Sequence, residues 1–171
     1  LFGLGTVVNG TFIVLKRPAT EISARTGCNI VVSHVGARRD HPDCDLAGVI
    51  VERDIFAVAK APEVDVVVEL IGGYETAKAL VLMAIENGKH VVTANKALIA
   101  EHGKELFEVA EQNNVVLAFE SAVAGGIPII KALREGLAAN TVLSIAGIIN
   151  GTGNFIMTEM RDKGRTFEDV L

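Results

Sequence analysis

Val64-Asp65-Val66-Val67-Val68-Glu69-Leu70-Ile71 (VDVVVELI) runs directly into Gly72-Gly73. A run this short and this nearly unbroken in β-branched side chains reads as a strand buried on both faces, the mark of the middle of a parallel sheet. The glycine pair then falls at the carboxyl end of that strand, where open α/β sheets receive ligands and where the lack of a side chain lets a flat ring approach the backbone.

Outward from this strand the pattern alternates. Downstream, a helical period covers 75–87 and Gly88 stands at the C′ position that closes a helix. A strand at 90–93, a helix around 104–112 and a strand at 115–119 follow. Upstream lie a β-branched run at 30–35, a short apolar run at 46–51, and a helix at 55–60 with Asp54 as its N-cap. The chain opens on the strand stump Leu1-Phe2, turns at Gly3-Leu4-Gly5, and enters a helical stretch at 6–25 that Pro18 kinks or splits. This alternation predicts an α/β fold, a Rossmann-like doubly wound and mostly parallel sheet. From Glu120 onward the pattern changes: Gly125, Gly126 and Pro128 turn the chain into a helix at 129–137, a strand follows at 141–149, and Thr152 caps a final helix after Asn150-Gly151. The glycine enrichment at 118–126 places a domain boundary there.

Composition narrows the classes of function. Half of the 171 residues are hydrophobic, ample for a packed core, which excludes intrinsic disorder. Charges break every apolar run too early for a membrane span. With 16 Lys and Arg against 21 Asp and Glu the net charge is −5, and no basic block marks a nucleic-acid partner. Cys28 and Cys44 are too few for a disulfide framework or a zinc site, so they read as free thiols of a reducing, cytoplasmic compartment. The start at Leu1, and a helix beginning at 167–171 without a stop signal, suggest a piece of a longer protein.

Five stretches carry candidate chemistry. Gly3-Leu4-Gly5-Thr6-Val7 precedes a helix, where backbone N–H groups can grip a pyrophosphate. Val8 stands where a third glycine is expected, which predicts a looser contact between helix and strand. Arg38 and Arg39 follow the second strand, with Asp40 after them. An NAD site places an acid there and an NADP site places arginine, so the order favours NADP, with NAD or dual use left open. Glu69-Leu70-Ile71-Gly72-Gly73 forms the third stretch, a ligand-facing strand end or else a simple C-terminal loop. Thr93-Ala94-Asn95-Lys96 forms the fourth, and a lysine at the end of a strand can attract a carboxylate or phosphate and orient a substrate carbonyl; the bland alternative is a surface charge. In the fifth, 120–128, a carboxylate and glycine-rich backbone supply the hard oxygens that alkali or alkaline-earth ions prefer, or else form a hinge with Glu120 as a hydrogen-bond acceptor. His34, His41, His90 and His102 have neither metal-ligand spacing nor a Ser or Cys partner and read as structural or surface residues.

Taken together, GLGTV at 3–7, VVELIGG at 67–73, NGKHVVTANKALIA at 87–100, FESAVAGGIPIIK at 119–131 and GIINGTGNFI at 147–156 resemble homoserine dehydrogenase, in the family's order and over nearly the whole chain. The resemblance implies a cytoplasmic NAD(P)-dependent enzyme of the aspartate pathway to threonine, methionine and isoleucine. Its reaction interconverts L-homoserine and L-aspartate 4-semialdehyde. The resemblance also implies a division into a nucleotide-binding domain at 1–120 and the first part of a truncated α+β catalytic and dimerisation domain at 121–171. Gly3, Leu4, Gly5, Thr6 and Val7 correspond to the pyrophosphate loop; Arg38, Arg39, Gly72, Gly73 and Thr93 lie along the cofactor. Lys96 matches a lysine close to nicotinamide and substrate, and is the catalytic candidate. Oxygens of Glu120, Val123, Gly125 and Ile127 match a sodium site. The family's remaining substrate and proton-transfer residues lie downstream, so this piece is expected to bind cofactor with little or no turnover. A homodimer or homotetramer is implied for the longer protein. The competing readings are another amino-acid dehydrogenase on the same fold, such as aspartate dehydrogenase, and a non-catalytic NADP(H)-binding module.

Overall fold

The computed structural model describes residues 1–171 except 4, 17, 18, 40–43 and 45. The expectations for Leu4, Pro18, Asp40 and His41 therefore fall outside the described residues. The chain forms two compact units, Leu1–Ile130 and Lys131–Leu171.

The first unit is built on parallel strands: β1 (His34–Gly36), β2 (Ile50–Glu52), β3 (Val66–Glu69), β4 (His90–Thr93) and β5 (Leu117–Ala118). The opening residues lie between β1 and β3. Phe2 bridges in parallel to Gly36 on one side and Glu69 on the other. Its N–H donates to the Val68 carbonyl at 3.0 Å, while Gly3 N–H donates to Gly36 and Gly36 N–H donates to Leu1, both at 2.9 Å. The spatial order is thus β2, β1, Leu1–Gly3, β3, β4, β5, with the winding direction reversing beside the first strand.

Helices α1 (Thr6–Lys16), α2 (Ala19–Thr26), α3 (Ile55–Lys60), α4 (Glu75–Glu86) and α5 (Lys96–Gln112) connect these strands. Alternate residues of a strand face opposite sides of a sheet, and they feed two separate cores. Phe2, Val67 and Val91 join Leu80, Ile85, Leu98 and Leu106 under α3, α4 and α5. Leu1 and Val35 join Val8 and Phe12 of α1. Phe2 is fully buried, and a Cβ on Gly36 would stand 2.8 Å from its ring, so only glycine lets the two strands pass at this point.

Several elements differ from expectation in extent. The run at 30–35 is strand only from His34, because the ladder is limited by its short partners, Leu1–Gly3 and β2. Helix α5 begins at Lys96 rather than near 104, because Asn95 accepts from Leu98 N–H at 3.1 Å and caps it. The helical stretch at 6–25, for which a kink or a split was expected, is two helices, with α1 ending at Lys16 and α2 starting at Ala19.

Helix α6 (Ile129–Lys131) widens into a π-type turn over Ala132–Gly136. The strand expected at 141–149 is not formed: the segment finds no pairing partner among the described residues, and Leu143, Ile148 and Ile149 are exposed. A β-strand needs a neighbour for its N–H and C=O groups, so apolar alternation alone does not make one. Helix α7 (Gly151–Lys163) is capped by Asn150, whose Oδ1 accepts from Gly153 N–H at 2.8 Å, and not by Thr152. Gly164 ends it in the left-handed region, and α8 (Phe167–Val170) follows. No helix among the described residues is long and apolar enough to cross a membrane.

Phe2 joins the two halves of the sheet and fills the larger core, so Phe2→Ala should lower unfolding free energy by about 3–5 kcal/mol. Equilibrium denaturant titration measures this; a loss below about 1 kcal/mol would show that the first strand is not integral to the sheet.

Candidate functional site

Where the winding reverses, a cleft of about 530 Å³ opens at the carboxyl ends of the strands. Gly3 and Gly5 form one wall, Gly36, Ala37, Arg38 and Arg39 another, and Ile55, Ile71, Gly72 and Thr76 complete it. Gly3 has φ +97°, a conformation that a side chain rarely adopts, and it turns the strand sharply into α1. A Cβ on Gly5 would meet nothing within 4 Å, which leaves the approach to the helix start clear. Among the described residues the first i→i−4 bond of α1 is made by Asn9 N–H to Gly5 at 3.1 Å. The N–H groups of Thr6 and Val7 belong to the opening turn, where a helix leaves donors without intrahelical acceptors, and no acidic side chain competes in that turn.

Val8 is buried with Leu1, Phe12, Val35 and Ala37, and it is not part of the cleft wall. The valine fills the space between α1 and the sheet, where the expected glycine would have let the backbones close. Arg38 and Arg39 are exposed on the rim, on a loop whose Ala37 carbonyl accepts from Arg53 Nη1 at 3.2 Å. The cleft lining thus carries two positive charges and, among the described residues, no carboxylate. That donor set fits a dinucleotide: orphan amides for the diphosphate, arginines for a 2′-phosphate, and apolar and glycine surface for rings.

Beneath this wall lies a polar network that sequence reading did not single out. Glu69, at the end of β3, is fully buried. Its Oε1 accepts from Ile71 N–H at 2.8 Å and its Oε2 from the Thr93 hydroxyl at 2.6 Å. Thr93 Oγ1 in turn accepts from Asn95 N–H at 3.0 Å, and Asn95 Nδ2 donates to the carbonyls of Ile71, at 3.3 Å, and of Gly73. Burial pushes the Glu69 carboxyl above its ordinary range, against the hydrogen bonds from Thr93, Ile71 and Asn95 that pull it down. The signal available in the sequence was an acid closing an otherwise apolar run.

The candidate residues thus separate into groups. Gly3, Gly5, Arg38, Arg39 and Gly72 meet around the cleft. Thr6 and Val7 stand exposed in the first turn of α1, and Gly73 lies in the turn held by Asn95. Thr93 is buried with its hydroxyl given to Glu69. Lys96 is the exposed first residue of α5, one position after the cap that binds the cleft-wall turn. A cation at the positive end of a helix is electrostatically unfavourable. His90 accepts from Val116 N–H at 3.0 Å, His34 bonds Ser33, and His102 packs against Tyr74.

The oxygen-rich turn folds back on itself. Glu120 Oε1 accepts from Ile130 N–H at 2.9 Å, and the Ile127 carbonyl accepts from Ile129 N–H at 2.8 Å. Ala124 and Gly126 both have positive φ, 45° and 84°, on either side of Gly125. No cluster of three His, Cys, Asp or Glu side chains forms a metal position among the described residues. A cation at this turn would have backbone carbonyls and Glu120 as its ligands, a set suited to a monovalent ion and not to a transition metal.

Comparison with known proteins agrees with this geometry. Residues 3–120 match the family model "homoserine dehydrogenase, NAD binding domain", and residues 128–171 match the model "homoserine dehydrogenase". A homoserine dehydrogenase of Pseudomonas aeruginosa is 64% identical over 99% of the chain, and one of Neisseria gonorrhoeae is 56% identical over all of it. The chain spans 39% and 40% of those two proteins. The crystal structure of a homoserine dehydrogenase from Thiobacillus denitrificans superposes with a TM-score of 0.92 at 56% identity, covering 99% of this chain and 40% of that one. A hyperthermophilic archaeal homoserine dehydrogenase in complex with NADPH superposes with a TM-score of 0.63 at 28% identity, covering 89% of this chain and 43% of that one.

The raised Glu69 value fixes the sign of a pH effect. Between the ordinary and the raised value the folded state binds more protons than the unfolded state, so this group's contribution is complete below the window and is lost as pH rises through it. Glu69→Gln has no such group. Its stability deficit relative to wild type should therefore shrink as pH rises above the ordinary glutamate range, read by denaturant titration. A deficit that grows with pH would contradict the assignment.

Proposed function

Because the chain belongs to the homoserine dehydrogenase family, we propose that it is the cofactor-binding portion of an NADP(H)-dependent enzyme interconverting L-homoserine and L-aspartate 4-semialdehyde. The observation that carries the reading is the cleft at the winding reversal, with the orphan amides of α1 at one end and Arg38 and Arg39 on its rim. When bound, the nicotinamide supplies the hydride donor or acceptor.

The chain's own residues bind and orient. The N–H groups of Thr6 and Val7, with the backbone of Gly3, Leu4 and Gly5, hold the diphosphate. Arg38 and Arg39 take the 2′-phosphate and so prefer NADP over NAD. Gly72 and Gly73 offer a surface without side chains to the nicotinamide end, and the buried Thr93 supports that end from below. Lys96 directs its ammonium to the substrate, attracting its carboxylate or polarising its carbonyl oxygen. Glu120 and the carbonyls of Val123, Gly125 and Ile127 hold a monovalent cation such as sodium. Hydride transfer also needs an acid or base at the reacting oxygen, and none lines the cleft among the described residues. The isolated chain therefore binds cofactor with little or no turnover, and the complete enzyme supplies the rest.

The same reading divides the chain at about 120, with 121–171 opening a catalytic and dimerisation domain of a homodimer or homotetramer. Exposed apolar side chains at Leu143, Ile148 and Ile149 support burial against further protein. That neither Cys28 nor Cys44 is in a disulfide supports a reducing, cytoplasmic setting.

Calorimetric titration tests the cofactor assignment. The chain should bind NADPH more tightly than NADH, and Arg38→Ala should weaken NADPH by about tenfold, about 1.4 kcal/mol, while leaving NADH within about twofold. An NADPH preference untouched by Arg38→Ala would remove the 2′-phosphate role. In the full-length protein, turnover with aspartate but not homoserine would replace the substrate assignment with that of another amino-acid dehydrogenase.

A further inference from the structure

Glu69 has no part in the cofactor and substrate contacts above, yet it is a fully buried carboxylate directly under them. Burying a charge is costly, and an apolar residue would continue the β3 run more cheaply. Its hydrogen bonds show what the charge does. One oxygen holds Ile71, whose side chain and neighbour Gly72 form the cleft wall. The other holds Thr93, whose hydroxyl oxygen fixes Asn95, the cap of the helix that begins at Lys96. Asn95 closes the circuit by donating back to Ile71 and Gly73. Two loops from different strands are thereby joined through side chains, beside the one backbone bond from Ala94 N–H to the Glu69 carbonyl at 3.3 Å.

We infer that Glu69 is a positioning residue of the dehydrogenase site: its buried carboxylate locks the turn at 71–73 to the turn at 93–95 and so sets Lys96 in register with the cleft wall. This inference rests on the role proposed above for Lys96. The direction of the donors argues for the ionised form. Ile71 N–H and Thr93 O–H both point at carboxylate oxygens, and Thr93 Oγ1 already accepts from Asn95. A glutamine at 69 would set an amide N–H against one of those donors, leaving the pair unsatisfied and the two turns free to separate. Thr93→Val removes the same link with little change of shape, whereas Thr93→Ser keeps it.

The test uses the full-length enzyme with homoserine and NADP. Glu69→Gln and Thr93→Val should each lower kcat by about tenfold or more while shifting the KM for NADP by less than about threefold, and Thr93→Ser, which keeps the hydroxyl, should lose several-fold less kcat than Thr93→Val. Where Glu69→Gln does not fold, the Thr93 pair decides. Unchanged kcat in Glu69→Gln, or equal losses in Thr93→Ser and Thr93→Val, overturns the inference. A wild-type enzyme inactive on homoserine overturns the proposed reaction instead, and the positioning role is then read from the emission spectrum of bound NADPH. That spectrum should shift in Glu69→Gln at matched saturation, and an identical spectrum overturns the role.

Discussion

The backbone of Leu1–Gly3 is hydrogen-bonded on both sides, to β1 through Gly36 and to β3 through Val68. A strand held this way cannot shift register without breaking both ladders, and a slip of one residue would turn Phe2 out of its core. Because winding reverses at this strand, α1 leaves it over one face of the sheet, while α4 leaves β3 over the other. The two departures cannot cover the same edge, so a crevice remains between them. Its position is a consequence of topology, and its chemistry follows from what the departing segments present.

What they present is one-sided electrostatically. The amides that precede the first helical bond of α1 are donors, and Arg38 and Arg39 are cations. Lys96 sits at the end of α5 where the helix dipole opposes it. None of these arrangements favours the free protein, and each gains when an anionic ligand arrives. Glu69, a buried carboxylate beneath the cleft, does not line it and is consumed by donors of the two turns that frame it. Positive groups face the ligand, and the compensating negative charge is kept underneath. Local rules of stability are broken together at one place, which is how a binding site differs from the rest of a fold.

Much of this was legible in the sequence because it depends on local chemistry. The unbroken run at 64–71, the glycine turn at Gly3 and the cap at Asp54 each announce their element, and Asp54 does accept from Phe56 N–H at 3.0 Å. Five motifs in order were enough to point to the family, which the comparisons then showed. What failed depended on partners. Residues 30–32 and 141–149 have the composition of strands but pair with no neighbour among the described residues, and no single-segment pattern reports that. Asn95 was readable as a turn residue and its capping of α5 is local, but its bonds to Ile71 and Gly73 depend on contacts 24 and 22 residues away. The role of Glu69 was hidden for the same reason: one of its donors, the Thr93 hydroxyl, comes from a different strand. The valine at position 8 departs from the glycine pattern without obstructing the cleft, because its side chain faces the α1 core.

The central claim is that the opening of α1 grips a dinucleotide and lays its nicotinamide end toward Lys96. A crystal structure of the full-length protein with NADPH tests it most directly. The account predicts density for the diphosphate within hydrogen-bond distance, about 2.7–3.2 Å, of the amide nitrogens at 5–7, with the nicotinamide between Gly72 and the Lys96 ammonium. A diphosphate bound elsewhere, or a nicotinamide lying away from both Gly72 and Lys96, would contradict it.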